Sequence, residues 1–573
     1  MSGMNTKIKK SSCIIVCIAM LFAFIVPAFA AGVNSFIPFT GSGTIDDPYI
    51  ISSTDELFAL AASVNSGNGF DGEYFLLNSD IDMSGCEAWT PIGDGLSVGG
   101  SAPNTFRGHF SGGGHSIIGL ETISTTAVPI AGLFGYTEGG SVSGLTVTCA
   151  YIGGTTKAAG IAVYSDGTVF ENVSFEGSVF GVTAAGGIVG TISGGCITNC
   201  SVSGEISSNN SAGGIAGGAE NTVISDCEAY VYSNGFQYVG GIAGIAGTTE
   251  FVRSEANGFV SSSYRGGGIV GFCFDCGFDS CMSFANVICD DYAGGLVGLA
   301  QTSEFISCEN HGELNCGRFS GGLAGLCCGC VFTDCANRGV ISGEDYIGGL
   351  IGWSDDGLDF GDGGLDNRLF RCMNIGSVNG EWGVGGLIGD AHDAFVYDCF
   401  NIGEISSVEY AGGLTGYSKE SSFERCYNAG YVPDYSDCGA LVGCNSMNSG
   451  NFVNCVYLSS VCPAGSGFGA GRTEAELTSE SAYDGFDFEN VWIIPDAGYP
   501  FAELREVPSP VPLLGDADGN GEVTTMDALA TLRFAMGIMP CSLLDRFRTD
   551  MDRNGVVDAS DALTVLRISM GMI

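Results

Sequence analysis

The chain has 573 residues, of which 93 are glycine and 14 proline, with 45% hydrophobic and 15% charged residues. Glycine at about 16%, against an average near 7%, lacks the three-residue period of collagen, and the apolar content excludes a disordered polymer. Lys+Arg 20 against Asp+Glu 64 gives a formal net charge of −44, which disfavours nucleic acid and anionic membrane surfaces as partners and attracts calcium and cationic groups.

Residues 1–30 read as a secretory signal. Lys7, Lys9 and Lys10 precede the apolar run Cys13–Val26, and Ala28-Phe29-Ala30 supplies a small-residue cleavage site. The run is short for a membrane span. The mature chain is therefore expected to be extracellular, secreted or held at a cell surface, with no membrane insertion after signal cleavage. Residues 31–130 read as an N-terminal cap region. There, Ser53-Thr54-Asp55-Glu56 is a capping box opening an amphipathic helix over Thr54–Val64. Tyr74–Leu77 and Ile117–Leu120 read as strands, with turns such as Gly112-Gly113-Gly114 between them.

Residues 131–463 are organised by a repeat. A Gly-Gly-aliphatic-x-Gly segment has its second glycine at Gly187, Gly214, Gly241, Gly268, Gly295, Gly322 and Gly349, every step being 27. The next origin, Gly386, comes after 37, so ten residues are inserted; Gly413 and a degenerate Ala440 follow, and Gly160 and Gly132 extend the series upstream. Thirteen residues beyond the origins stand Cys200, Cys227, Cys281, Cys308, Cys335, Cys372, Cys399 and Cys426; Cys455 fits after a small offset and Ser254 interrupts the column. Asn310, Asn337, Asn374, Asn401 and Asn428 come two residues later, and Gly312, Gly339, Gly376, Gly403 and Gly430 two after those. One such unit cannot bury its apolar face alone. The expected architecture is mainly β: a parallel β-helix of about twelve 27-residue coils, with equivalent residues stacked at about 4.8 Å in a rod on the order of 55–60 Å long. Cysteines would fill the interior, asparagine amides would chain, and glycines would supply positive φ at corners. The repeat resembles the GLUG repeat of bacterial and archaeal surface proteins. That resemblance implies adhesion-like or surface-exposed proteins, some with enzymes in separate domains.

Twenty-three cysteines remain after signal removal. Nine lie in the stacked column, where parallel Cβ vectors oppose disulfide formation, so a mainly reduced, buried ladder is expected. Cys273/Cys276 and Cys327/Cys330 lie two coils apart, roughly 9–10 Å, too far for one tetrahedral zinc site.

Residues 464–506 read as a C-terminal cap with a helix near Glu474–Tyr483 and a strand at Val491–Ile494. Pro508, Pro510 and Pro512 mark a stiff linker, 507–514. The domain at 515–573 holds two near-copies 34 residues apart. Oxygen-bearing side chains fall at loop positions 1, 3, 5, 9 and 12: Asp516, Asp518, Asn520, Thr524 and Asp527, then Asp550, Asp552, Asn554, Asp558 and Asp561. Gly521 and Gly555 hold position 6, and Glu522 and Val556 would offer backbone carbonyls at position 7. Calcium needs six to eight hard oxygens around a sharp turn, and this spacing supplies two such sites for Ca2+. Each loop leads into a helix, Ala528–Met536 or Ala562–Met570. The pair resembles a type I dockerin domain. That resemblance implies a calcium-folded module that binds a cohesin domain on a scaffold protein, as in a cellulosome. The implied partner-reading residues are Thr525, Met526 and Arg533 in copy one, and Ala559, Ser560 and Arg567 in copy two.

Two functions remain open for the rod. One is a non-catalytic binding or adhesion element for a polysaccharide or host glycan, docked onto a cohesin-bearing scaffold. The other is a polysaccharide lyase or glycoside hydrolase of the same assembly, with the acidic insertion 353–368 as its active-site region. Coil counting places Asp355, His392 and Lys419 in one column, and Asp356, Asp393 and Glu420 in the next. Asp355, Asp356, His392 and Asp393 are the catalytic candidates, since clustered carboxylates divide acid and base roles or hold calcium. His109, His115 and His311 show no obvious partners. Tyr292, Phe319, Tyr346, Trp382 and Tyr410 lie near coil corners, where they could stack on sugars or simply pack.

Overall fold

The computed structural model describes residues 39–86, 88–95, 104–124, 128–355, 365–434, 437–446, 450–461, 468–495, 500–507, 515–517, 523–539, 548–551 and 556–572. Short apolar runs broken by glycine cannot sustain helices, and here they form strands. One coil contains Ala184–Gly186, Val189–Ser193, Cys196–Thr198 and Ser201–Ser208. Each pairs in parallel with residues 27 further on: Ala184 with Ser211, Val189 with Ala216, Cys196 with Val223, Ser201 with Glu228. The second strands of successive coils form a 12-stranded parallel sheet, one strand per repeat unit. The whole is a parallel β-solenoid of about 14 turns. The additional turns come from the segment expected to be a cap, because Tyr49–Ile51, Tyr74–Leu77, His109–Ser111 and Ser141–Thr148 pair in succession.

Inside, the repeat becomes columns. Phe251, Phe278, Phe305 and Phe332 stack face to face at 4.8, 4.5 and 4.5 Å. Each ring is buried, and burial of such a side chain contributes about 1.5–3 kcal/mol. The ladder cysteines are buried free thiols. Cys227 Sγ donates to the Ser225 and Ile197 carbonyls, and Cys335 Sγ to those of Thr333 and Phe305. Ser254, the apparent interruption, makes the same bonds to Val252 and Ile224 through its hydroxyl. It is a small interior donor like its neighbours. Asparagine amides run coil to coil from Asn310 to Asn428 at 2.7–2.8 Å, and each also donates to the carbonyl two residues on, as Asn374 does to Gly376.

The repeat glycines have a different reason from the expected one. Neither Gly187 nor Gly312 has positive φ. A Cβ on Gly187 would lie 2.6 Å from the Gly214 carbonyl oxygen of the next coil, and at Gly214 the approach is closer. Tight stacking of backbone on backbone, rather than left-handed turns, fixes these positions.

The helix Thr54–Val64 forms as expected, with Leu57, Leu60, Ala61 and Val64 buried in the solenoid core. Ser53 accepts from the Glu56 amide, but Glu56 reaches back to the amide of Ser52, one residue before the cap. The expected helix near Glu474–Tyr483 is only Glu474–Leu477 followed by a 3-10 turn, Glu480–Ala482. Segment 470–507 does more than close an end. Ala470–Arg472 extends the parallel ladder from Val456–Leu458. Beyond it, Trp492 packs on Phe400 and Tyr427 and donates to Asp398 at 3.0 Å. Those two rings point outward from their coils, and the segment covers them because an apolar flank must be buried.

Candidate binding surfaces: two acidic loops and an aromatic edge

The C-terminal helices run Thr525–Ala535 and Ala559–Ser569, each starting three residues earlier than expected. The reason is a capping box in each: Thr524 with Asp527, and Asp558 with Asp561. Position 12 of the loop is thus also N3 of the helix. Asp527 Oδ2 accepts from the Thr524 amide at 2.7 Å, while Oδ1 accepts from the Ala517 amide at 2.9 Å. Asp561 repeats this with the amides of Asp558 and Met551, both at 2.8 Å. Asp516, Asp527, Asp550 and Asp561 are all buried. Oxygen-bearing side chains thus stand at both ends of each loop, the donor type a hard cation such as calcium takes, though the described residues alone bring no three acidic side chains together. Glu522, Asp518, Asn520, Asp552 and Asn554 lie outside the described residues. The partner-reading candidates Thr525, Met526, Arg533, Ala559, Ser560 and Arg567 are all exposed. Beside them Leu529 and Leu563 are also exposed, so each helix presents an apolar stripe ending in an arginine. Met526 makes the first stripe more apolar than the second, where Ser560 takes the equivalent place.

The solenoid's most distinctive surface is one corner. Tyr292, Phe319, Tyr346 and Tyr410 occupy one column with φ of 61, 59, 59 and 54°. The left-handed region is unfavourable for bulky side chains. Two other corner columns also use it. One carries Asn199, Asp226, Arg253, Ser280, Asp334 and their equivalents, the other Asn221, Thr248, Asp275 and Thr302. Of the three columns, this one fills such positions with rings; among the other described residues, Phe70 in the first turns is also a ring at positive φ. Gly383 takes the fifth place, and the neighbouring Trp382 supplies the missing ring. Ring centroids follow at 5.5 Å (Tyr264–Tyr292), 5.0 Å (Tyr292–Phe319), 5.2 Å (Phe319–Tyr346), 4.8 Å (Tyr346–Trp382) and 5.2 Å (Trp382–Tyr410). The inner sides of the rings pack on outward residues of the 12-stranded sheet, Phe319 on Trp353 at 5.1 Å and Trp382 on Tyr417 at 6.3 Å. Around Trp382 lies an open cleft of about 450 Å³ walled by Tyr346, Val408 and the carboxylates Asp345, Glu381 and Glu409.

The catalytic candidates lie next to this edge. His392 pairs in register with Lys419, and Ser354 with Ala391, which places Asp355 beside His392. His392 Nε2 is 3.1 Å from Asp390 Oδ1. Burial works against its protonation, but the hydrogen bond and charge of Asp390 outweigh it, and the imidazole pKa is raised. Asp355 and Asp390 are buried. Asp393 and Glu420 sit at left-handed corner positions, so their residue types also serve the backbone. Asp356 and most of the insertion, 356–364, lie outside the described residues. At the insertion's end Arg368 Nη2 is 3.7 Å from Asp366. The remaining histidines have partners: His311 bonds Glu309 at 2.9 Å, His109 bonds Ser141 at 3.0 Å, and His115 is 3.4 Å from Asp80. A second groove, about 680 Å³, is lined by Arg107, Tyr136, Lys157, Tyr164 and Glu138. There the Lys157 ammonium lies 4.3 Å over the Tyr164 ring, and burial lowers its pKa.

Sequence reading did not single out Trp353, Asp390, Tyr417 or Arg265. The 27-residue register places Arg265 in the same column as Tyr292, so periodicity alone could have found it.

A family model for the dockerin type I domain matches residues 514–568. Such domains bind calcium and cohesin partners, so the chain carries a module for docking onto a cohesin-bearing assembly, extracellular or at a cell surface. No helix among the described residues is long and apolar enough to cross a membrane. Halomucin of Haloquadratum walsbyi (strain DSM 16790 / HBSQ001) is 28% identical over 146 residues, 25% of this chain and 2% of that protein. Among solved structures, a proposed immunoglobulin A1 protease from Bacteroides ovatus aligns at 16% identity over 82% of this chain and 95% of its own, with a TM-score of 0.29. The mannuronan C-5 epimerase AlgE6 A-module of Azotobacter vinelandii aligns at 13% identity over 76% of this chain and 94% of its own, with a TM-score of 0.24. Neither likeness bears on activity.

Proposed function

We propose that this chain is a secreted, non-catalytic binding protein. Its GLUG-like solenoid presents the aromatic edge to an extended glycan, and its C-terminal module, folded on two calcium ions, fastens it to a cohesin. The observation that carries the reading is the row of rings from Tyr264 to Tyr410. Five consecutive separations lie between 4.8 and 5.5 Å, so the rings form an unbroken row at the spacing of the coils. Tyr292, Phe319 and Tyr346 stack face to face, so a pyranose would meet their outer edges and the Trp382 ring, which is set at 76 and 78° to Tyr346 and Tyr410, while Asp345, Glu381 and Glu409 around the cleft accept from its hydroxyls. Bulky residues held in left-handed backbone, where Gly383 shows that glycine fits, indicate a conformation retained for its surface. Affinity electrophoresis against neutral and acidic glycans tests this. Tyr346→Ala and Trp382→Ala should each weaken retention about tenfold, the loss of one stacking ring; retention unchanged in both refutes the edge.

The Asp390–His392 pair beside Trp353 favours a second reading, a polysaccharide-degrading enzyme with Asp355, Asp356, His392 and Asp393 as its acid–base set. Product release from a bound glycan, lost in an Asp355/Asp356/His392 triple variant, would replace the binding reading with this one.

A further inference from the structure

We propose that Arg265 anchors a carboxylate of the bound glycan, so that the aromatic edge reads acidic sugars; this rests on the edge being a glycan surface. Four rings enclose the Arg265 guanidinium. Its Cζ lies 4.6 Å from the Tyr264 centroid, 5.3 Å from Tyr238, 5.8 Å from Tyr292 and 5.9 Å from Phe272. Ring faces satisfy a cation above and below its plane. The five N–H donors lie within that plane and need oxygens. Nε is buried without a hydrogen-bond partner, the residue as a whole is only half-buried, and among the described residues no carboxylate pairs with Arg265, which leaves the Nη donors for an incoming anion.

Other solenoid arginines show what the fold ordinarily does. Arg253 bonds Asp226 at 2.8 Å, Arg318 bonds Asp291 at 3.0 Å, and Arg425 bonds Asp398 at 2.8 Å. In each the partner lies one coil back. In a chain of net charge −44, Arg265 is set among rings instead. It stands in register with Tyr238 on one side and Tyr292 on the other, at the start of the aromatic row. A sugar lying along the outer edges of Tyr264 and Tyr292 would pass beside the guanidinium. A planar carboxylate matches the guanidinium fork with two parallel bonds. The nearest carboxylate of the acidic cleft, Asp345, lies three coils away, about 14 Å by strand spacing. That exceeds the screening length of about 8 Å at physiological ionic strength, so the cleft does not cancel the anchor.

The test measures binding of the full calcium-loaded chain at physiological ionic strength to polygalacturonate and hyaluronan, to their methyl esters, and to dextran sulfate. The methyl ester keeps the backbone and removes only the charge. Polyuronates should bind about tenfold tighter than their esters, and Arg265→Gln should erase that difference without weakening ester binding, as loss of a bidentate pair requires. Arg265→Lys should recover part of it, because charge returns without the fork. Equal affinity for acid and ester, or no effect of Arg265→Gln, overturns the anchor while Tyr346→Ala still reports on the edge. Preference for dextran sulfate overturns the carboxylate assignment. Binding that is indifferent to Tyr346→Ala, or absent throughout, overturns edge and anchor together. Matched circular dichroism melts of the variants separate these outcomes from unfolding.

Discussion

Replacing Asn374 by alanine removes the middle rung of the asparagine ladder. Its Nδ2 donates to Asn401 Oδ1 at 2.8 Å and to the Gly376 carbonyl at 2.9 Å, while its Oδ1 accepts from Asn337 at 2.7 Å. Truncation strands one N–H of Asn337, whose other N–H stays on Gly339, and it strands the Gly376 carbonyl. Asn401 Oδ1 keeps the Gly403 amide at 3.1 Å. Two buried orphans at about 1–3 kcal/mol each predict a loss of about 2–6 kcal/mol. Asn257, which bonds only Glu255 on the outer face, should change by about 0.5 kcal/mol or less on the same substitution. A solenoid need not unfold in one step, so hydrogen exchange at the amides of Ile375, Ile402 and Gly403 should accompany denaturant melts. Faster exchange should centre on the coils flanking residue 374. A loss for Asn374→Ala no larger than that for Asn257→Ala would refute the claim that the ladder holds the coils together.

Chelation with EDTA should unfold the helices Thr525–Ala535 and Ala559–Ser569 and leave the solenoid's β signal in circular dichroism. Asp561→Ala should lower the calcium stoichiometry measured by calorimetry, and a protease pattern indifferent to EDTA would remove the calcium reading. Burial tends to raise the Glu309 pKa, but hydrogen bonds from His311 and Arg338 overcome it and hold it at about 2. A depressed carboxylate stabilises above its unfolded value, near 4.3. Stability should therefore fall as pH drops from about 4.3 toward 2, and Glu309→Gln should flatten that slope in acid melts; an unchanged slope speaks against the triad. Burial raises the thiol pKa of Cys308 and Cys399. The exposed Cys86 should react with a thiol reagent in the native protein, while the ladder cysteines should react only after denaturation. Thiols still silent in denaturant without reductant would mean they are paired.

Much of the rod was legible before any coordinates. A 27-residue period with fixed Cys, Asn and Gly offsets admits few foldings, because identical residues must stack when each unit cannot close its own core. The asparagine chain followed directly, and so did the position of the ten-residue insertion, since Ala324 pairs with Ile351 at a step of 27 and Val331 with Arg368 at a step of 37. The dockerin module was equally readable, because its loop spacing within twelve residues is a local property, and the type I dockerin model matches 514–568. Helix starts were missed by three residues because the residue at position 12, read from the sequence as a loop ligand, is also the partner in a capping box, which only the fold shows. The glycines were assigned the wrong cause for a similar reason: close approach between coils is a distance across 27 residues, invisible to a local rule.

The acidic surface, the repeat and the metal-loop spacing were thus set by residue order alone, because each depends on neighbours in the chain or on strict periodicity. Which side chains face one another around the corners was decided by winding. It brought Arg265 among rings from three other strands, Tyr238, Phe272 and Tyr292, placed Trp382 where Gly383 leaves a gap, and turned the last segment along the flank to cover Phe400 and Tyr427. Contacts of that kind depend on coil radius and corner geometry, which no single stretch of sequence encodes.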